Sequence, residues 1–96
     1  EGCARACVEL RGDIDGDEAQ RLSDVLGDLV GRVRRVDVDV AAVTFFGSAA
    51  LTALVTGLLT AREAGHGLRL VSLTEPIRRL LDITGLADEL APGAAS

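Results

Sequence analysis

The stretch VTFFGSAALT, residues Val43 to Thr52, decides the fold. An apolar run ends in Gly47-Ser48, and an uncharged helical pattern starts at once. From Val40 to Ala61 no residue is charged, long enough to span a bilayer on count alone. Yet Thr44, Gly47, Ser48, Thr52, Thr56, Gly57 and Thr60 dilute its hydrophobicity, and its period changes at Ser48 from strand-like to helical. A buried strand feeding a helix explains both features, so no direct membrane insertion is expected.

Working outward, Val36, Val38 and Val40 alternate with Asp37 and Asp39, a half-buried strand running on towards Phe46. Before it, Ala4 to Arg11 alternates as another strand, ended by a Gly- and Asp-rich turn, Gly12-Asp13-Ile14-Asp15-Gly16. Ala19, Leu22, Val25, Leu26, Leu29 and Val30 then recur at helical spacing, with Asp17 and Glu18 in the first turn and Gly31 as the stop. After Ser48 the second helix runs to Ala64, closed by Gly65-His66-Gly67. Leu68, Leu70, Val71 and Leu73 make a further strand. Thr74-Glu75-Pro76 opens a third helix with Pro in its first turn, striped by Ile77, Leu80 and Leu81 and ending near Gly85. Leu86 and Leu90 suggest a short final helix, and residues 91–96 read as a tail. Strands alternating with helices make one small α/β domain over residues 1–96.

Composition narrows the function. A 96-residue chain buries roughly 60–65% of the surface its unfolded form exposes. Phe45 and Phe46 are the only aromatics, so the core is aliphatic and platforms for stacking nucleobases are missing. A net charge of -5 and a pI near 4.7 argue against a nucleic-acid partner and suit a basic protein one. Cys3 and Cys7 would share one face of a strand as small packed side chains. They form neither a CxxC pair nor half of a zinc site, and a reducing cytoplasm suits them. No cofactor motif and no metal-ligand cluster is present. The chain has no Met, so residue 1 is not expected to be the natural start.

The second helix carries the most information. Leu51, Leu54, Val55, Leu58 and Leu59 form a stripe expected to face the sheet. The other face carries Ala49, Thr52, Ala53, Thr56, Gly57 and Thr60, and is either a weakly polar surface, a face under the chain's own tail, or a docking surface for a partner. The last avoids the cost of burying charge. Ser48 itself reads first as a helix N-cap. As a nucleophile it lacks a base: His66, the only histidine, sits at the far end of the same helix, more than about 20 Å away at 1.5 Å per residue. As a switch it is well placed, since a phosphate there meets free N–H groups and the positive end of the helix dipole.

Four segments together resemble STAS domains of the anti-sigma factor antagonist type. Leu10-Arg11-Gly12-Asp13-Ile14-Asp15 is similar to their L-x-G-x-[IL]-D opening. Val38 to Leu51 resembles the core [VL]-D-[LV]-S-x-V-x-F-[IM]-D-S-[ST]-G-L. Gly67-Leu68-Arg69-Leu70 and the run from Ile77 to Leu86 match the later G-x-x-L and [IV]-x-x-[LV]-L-x-[IL]-[ST]-G-L segments. The match extends from about Val8 to Leu90.

The resemblance implies a STAS-like fold of about four strands in a mixed sheet with three to four helices, the edge strand trimmed at the start of this chain. It implies a cytoplasmic, non-enzymatic regulator of transcription. Such a protein binds an anti-sigma factor of the serine-kinase type and releases the sigma factor, while phosphorylation of a Ser disables it and a phosphatase restores it. Ser48 matches that Ser. Asp15 and Asp39 match acids near the phosphorylation site, and the uncharged face of the second helix would meet the kinase. Two positions depart from the pattern: Gly47 stands where the family has Asp, and Ala50 where it has Gly. The alternative that the resemblance allows is an accessory STAS subunit of a transporter or other complex, without Ser phosphorylation.

Overall fold

The computed structural model describes residues 5–90, and its centre is the strand that the Val-Asp alternation predicts. In β2 (Arg35–Phe46), Val36, Val38 and Val40 are fully buried. β1 (Arg5–Ile14) and β3 (Gly67–Val71) flank it, both parallel to it, in the order β1-β2-β3. Helix α1 (Gly16–Leu29) joins β1 to β2, and α2 (Ser48–Glu63) joins β2 to β3. Two further helices, α3 (Glu75–Thr84) and α4 (Ala87–Leu90), follow β3. Pro76 lies in the first turn of α3, and Gly85 ends it in the left-handed conformation, φ +76°. One aliphatic cluster unites these elements, from Leu22 and Leu26 on α1 to Leu54 and Leu58 on α2 and Leu81 on α3.

The expected mixed sheet of about four strands is corrected here: among the described residues the sheet has three strands, all parallel. Each strand reaches the next through a helix that returns the chain to the same edge, whereas an antiparallel neighbour needs only a hairpin. Among the described residues no helix is long and apolar enough to cross a membrane.

The turn expected at Gly12 begins later. β1 continues through Gly12 to Ile14, and its 10 residues face the 12 of β2. Two register shifts, between Glu9 and Arg11 and between Gly12 and Asp13, absorb the difference. Gly12 takes φ +71°, a conformation open to glycine. Beside the first shift, Asp39 Oδ1 accepts from the Ala41 N–H at 2.9 Å, giving a backbone donor at the irregularity a partner.

The other sheet face carries an ion-paired cluster. Asp37, 8% exposed, accepts from Arg69 Nε at 3.0 Å and lies 3.9 Å from Arg5 Nε. Cys7 also lies on this face and is exposed, so it is not the packed side chain expected. It alternates with Ala6 and Val8, which pack against the core. Cys3 and the tail at 91–96 lie outside the described residues.

The buried face of α2 differs from the expected stripe. Leu54 and Leu58 are buried as expected, but Ala50, Ala53, Gly57 and Ala61 join them, while Leu59 is 53% exposed. The cause is α1. A Cβ on Gly57 would lie 3.3 Å from Leu26 Cδ1 and 3.3 Å from Leu68 Cδ1. The small side chains admit a neighbouring helix, and the nearest one is this chain's own.

Candidate partner-binding site around Ser48

Parallel strands with helical crossovers bring the ends of β1 and β2 and the starts of α1 and α2 to one edge of the sheet. The corner there is tied by two contacts. Gly47 N–H donates to the Ile14 carbonyl at 2.9 Å. The Thr44 hydroxyl donates to Asp13 Oδ1 at 2.7 Å.

Ser48 is exposed at this corner, but it is the first helical residue rather than the cap. The N-cap is Gly47, with φ -77° and ψ 170°, and no side chain caps the helix. Leu51 N–H makes the first bond along α2, to the Gly47 carbonyl at 3.1 Å. The N–H groups ahead of it belong to the set that a helix leaves without internal partners. The Ser48 hydroxyl is therefore not committed to capping, and it sits where the helix dipole favours negative charge.

Of the predicted neighbours, Asp15 is beside the corner: a Cβ built on Gly47 would lie 2.8 Å from Asp15 Cβ. Asp15 is also the N-cap position of α1, again without a side-chain cap bond. Asp39 is elsewhere. It lies seven residues before the end of β2, roughly 20 Å back along the strand at about 3.3 Å per residue, with its carboxylate turned to Ala41. β2 therefore does not bring Asp39 to the corner that holds Ser48.

The predicted partner face divides in two. Ala49, Thr52 and Thr56 are exposed and line a shallow groove between α1 and α2 with Gly16, Gln20 and Ser23. Thr60 is exposed further along. Ala53, though 6% exposed, also lines that groove, whereas Gly57 is buried against Leu26 of α1 and Leu68 of β3 and is closed to a partner.

One residue of the site was missed in the sequence. Phe45 is 54% exposed and lines a second groove with Thr44, Thr74, Pro76 and Leu80, on the other side of the corner. The signal was available: with Phe46 buried, strand alternation turns Phe45 outward.

His66 lies beyond the far end of α2, its Nδ1 donating to the Val30 carbonyl at 2.8 Å. The 16 residues of α2 hold it about 24 Å from Ser48 at 1.5 Å rise per residue, so the two cannot act as nucleophile and base.

Comparison with known proteins agrees with this fold. The phosphorylated form of SpoIIAA, described as a Bacillus cell fate determinant, superposes with TM-score 0.75 at 12% identity, covering 91% of this chain and 80% of that one. Its unphosphorylated form, described as an anti-sigma factor antagonist, gives TM-score 0.73 at 11% identity, over 83% and 74% of the two chains. The solution structure of TM1081 gives 0.81 at 19% identity, over 92% and 72%. Residues 3–92 match the family model described as "Mlab, STAS domain", and the chain belongs to that STAS-domain family.

Proposed function

We propose that the chain is an anti-sigma factor antagonist: it binds an anti-sigma factor of the serine-kinase type through the edge around Ser48, and phosphorylation of Ser48 weakens that binding. The observation that carries this reading is the exposed Ser48 hydroxyl on the first turn of an uncapped helix, between two grooves. The four sequence segments that resemble antagonist-type STAS domains support it. So does the fold shared with SpoIIAA, an anti-sigma factor antagonist studied in phosphorylated and unphosphorylated forms. A phosphate on Ser48 adds about -1.5 to -2 charge beside an otherwise uncharged helix face, and a docked partner would have to desolvate or repel it. Phe45 supplies the aromatic anchor such a contact needs.

Capture from native lysate, with wild-type and Ser48→Glu baits read by mass spectrometry, tests the reading. A serine kinase held by wild type and by Ser48→Ala, but lost with Ser48→Glu and Phe45→Ala, supports it. Equal capture by wild type and Ser48→Glu rejects the switch.

Gly47 favours a second reading, an accessory STAS subunit in which Ser48 is not phosphorylated. The carboxylate that antagonist-type domains place before the Ser is absent, and Asp15 occupies the space its Cβ would take. Under this reading both baits recover the same transporter subunits.

A further inference from the structure

At the opposite edge of the sheet the strand register assembles a basic cleft. Arg5, the first residue of β1, pairs with Arg35, the first of β2, and Arg35 pairs with Gly67, the first of β3. Arg34 precedes them, its carbonyl accepting from Gly67 N–H at 2.8 Å. His66 is held by its bond to the Val30 carbonyl at 2.8 Å. Because a carbonyl can only accept, Nδ1 is the donor there and Nε2 is the ring nitrogen left over. These residues and Gly65 line an open cleft of about 510 Å³.

Its charge is unbalanced. Among the described residues the lining holds three arginines and a histidine, and no carboxylate. Arg34 and Arg35 are exposed, and among the described residues neither side chain has an ion-pair or hydrogen-bond partner. Among the described residues Arg5 reaches only Asp37, at 3.9 Å, and that carboxylate is already bonded to Arg69 at 3.0 Å. In a chain of net charge -5 with 15 acidic residues, three guanidinium groups at one cleft with no acid among its described lining residues call for an anion.

We propose that Arg5, Arg34, Arg35 and His66 form a binding site for a phosphate-type anion carrying two or more negative charges. Guanidinium forks match phosphate oxygens in pairs, and three of them exceed what one carboxylate can use. The anion is compact, because a long polyanion would run onto the acidic remainder of the surface, while screening over about 8 Å keeps the attraction local. The same chemistry is offered by a free diphosphate and by a phosphorylated lipid headgroup.

Titration of the isotope-labelled chain with inorganic pyrophosphate at low salt tests the site. Saturable amide shifts at Gly65, His66 and Gly67, with none at Ser48, are expected. The double variant Arg34→Gln with Arg35→Gln should weaken binding about tenfold or more, with the circular dichroism spectrum retained because both side chains are exposed. Flotation with phosphatidic acid vesicles, against phosphatidylcholine vesicles, distinguishes the sources. Pyrophosphate binding without flotation assigns a free ligand, and flotation on phosphatidic acid, lost in the double variant, assigns a headgroup. Absence of both, an undiminished double variant, or an equal loss with Arg79→Gln on α3 overturns the proposal.

Discussion

Position 47 is the tightest point of the corner that presents Ser48. A Cβ there would meet Asp15 Cβ at 2.8 Å, the Ile14 carbonyl oxygen at 3.4 Å and Phe45 Cε2 at 3.5 Å. The backbone is ordinary, at φ -77°, so glycine is required by space and not by conformation. Gly47→Ala is expected to lower stability by about 1–3 kcal/mol, the range for overpacking, as a drop in the urea midpoint at unchanged slope. Gly47→Asp should cost more, because it also sets a second carboxylate beside Asp15. A Gly47→Ala variant as stable as the parent would mean that the Asp15 loop yields freely. The same crowding limits what the sequence could tell. Gly-Ser before a helix reads as a Ser cap, since Ser is the better capping residue. The extended Gly47 backbone moves the cap one residue back, and that is a property of dihedral angles, not of residue type.

Among the elements, α2 teaches the most. Its period was legible, but its inward face was not, because a helix of Leu, Ala, Thr and Gly has apolar groups on every side. The close approach of α1 decides the face, and it selects Gly57 and Ala53 over Leu59. Gly57→Val should therefore destabilise by about 1–3 kcal/mol, since a branched side chain would press on Leu26 and Leu68, which already lie within 3.3 Å of a single Cβ. Thermal unfolding followed by circular dichroism measures this, and an unchanged midpoint would show that α1 shifts away. The strands were read more easily, because alternation in β2 separates valines from aspartates without help from any neighbour. The role of Asp37 was still hidden, since its partners, Arg5 and Arg69, come from two other strands. Asp37→Ala leaves these two cations facing each other across β2. A loss of about 1–2 kcal/mol is expected by urea denaturation, below the cost of breaking a fully buried pair because both arginines stay partly in water.

For the whole molecule, parallel topology separates charge. The end of β1 and the first turn of α1 place Asp13, Asp15, Asp17 and Glu18 at the edge where Ser48 lies, and the strand starts leave Arg5, Arg34 and Arg35 at the other. The 16 residues of α2 set Ser48 and the His66 cleft about 24 Å apart at 1.5 Å rise per residue, in a molecule whose longest extent is 36 Å. That separation is several times the screening length of about 8 Å and well beyond the roughly 10 Å within which substitutions couple. The two edges should therefore act independently. Ser48→Glu is expected to abolish capture of the protein partner and leave the pyrophosphate affinity of the arginine cleft unchanged. The Arg34→Gln, Arg35→Gln variant should do the converse, and the triple variant should show both losses with no extra term. Calorimetric titration of the four proteins, each with pyrophosphate and with the captured partner, closes this cycle. A pyrophosphate affinity that falls when position 48 becomes Glu would show that the edges communicate through the sheet. Occupation of the cleft would then be an input to partner binding, because such coupling is reciprocal.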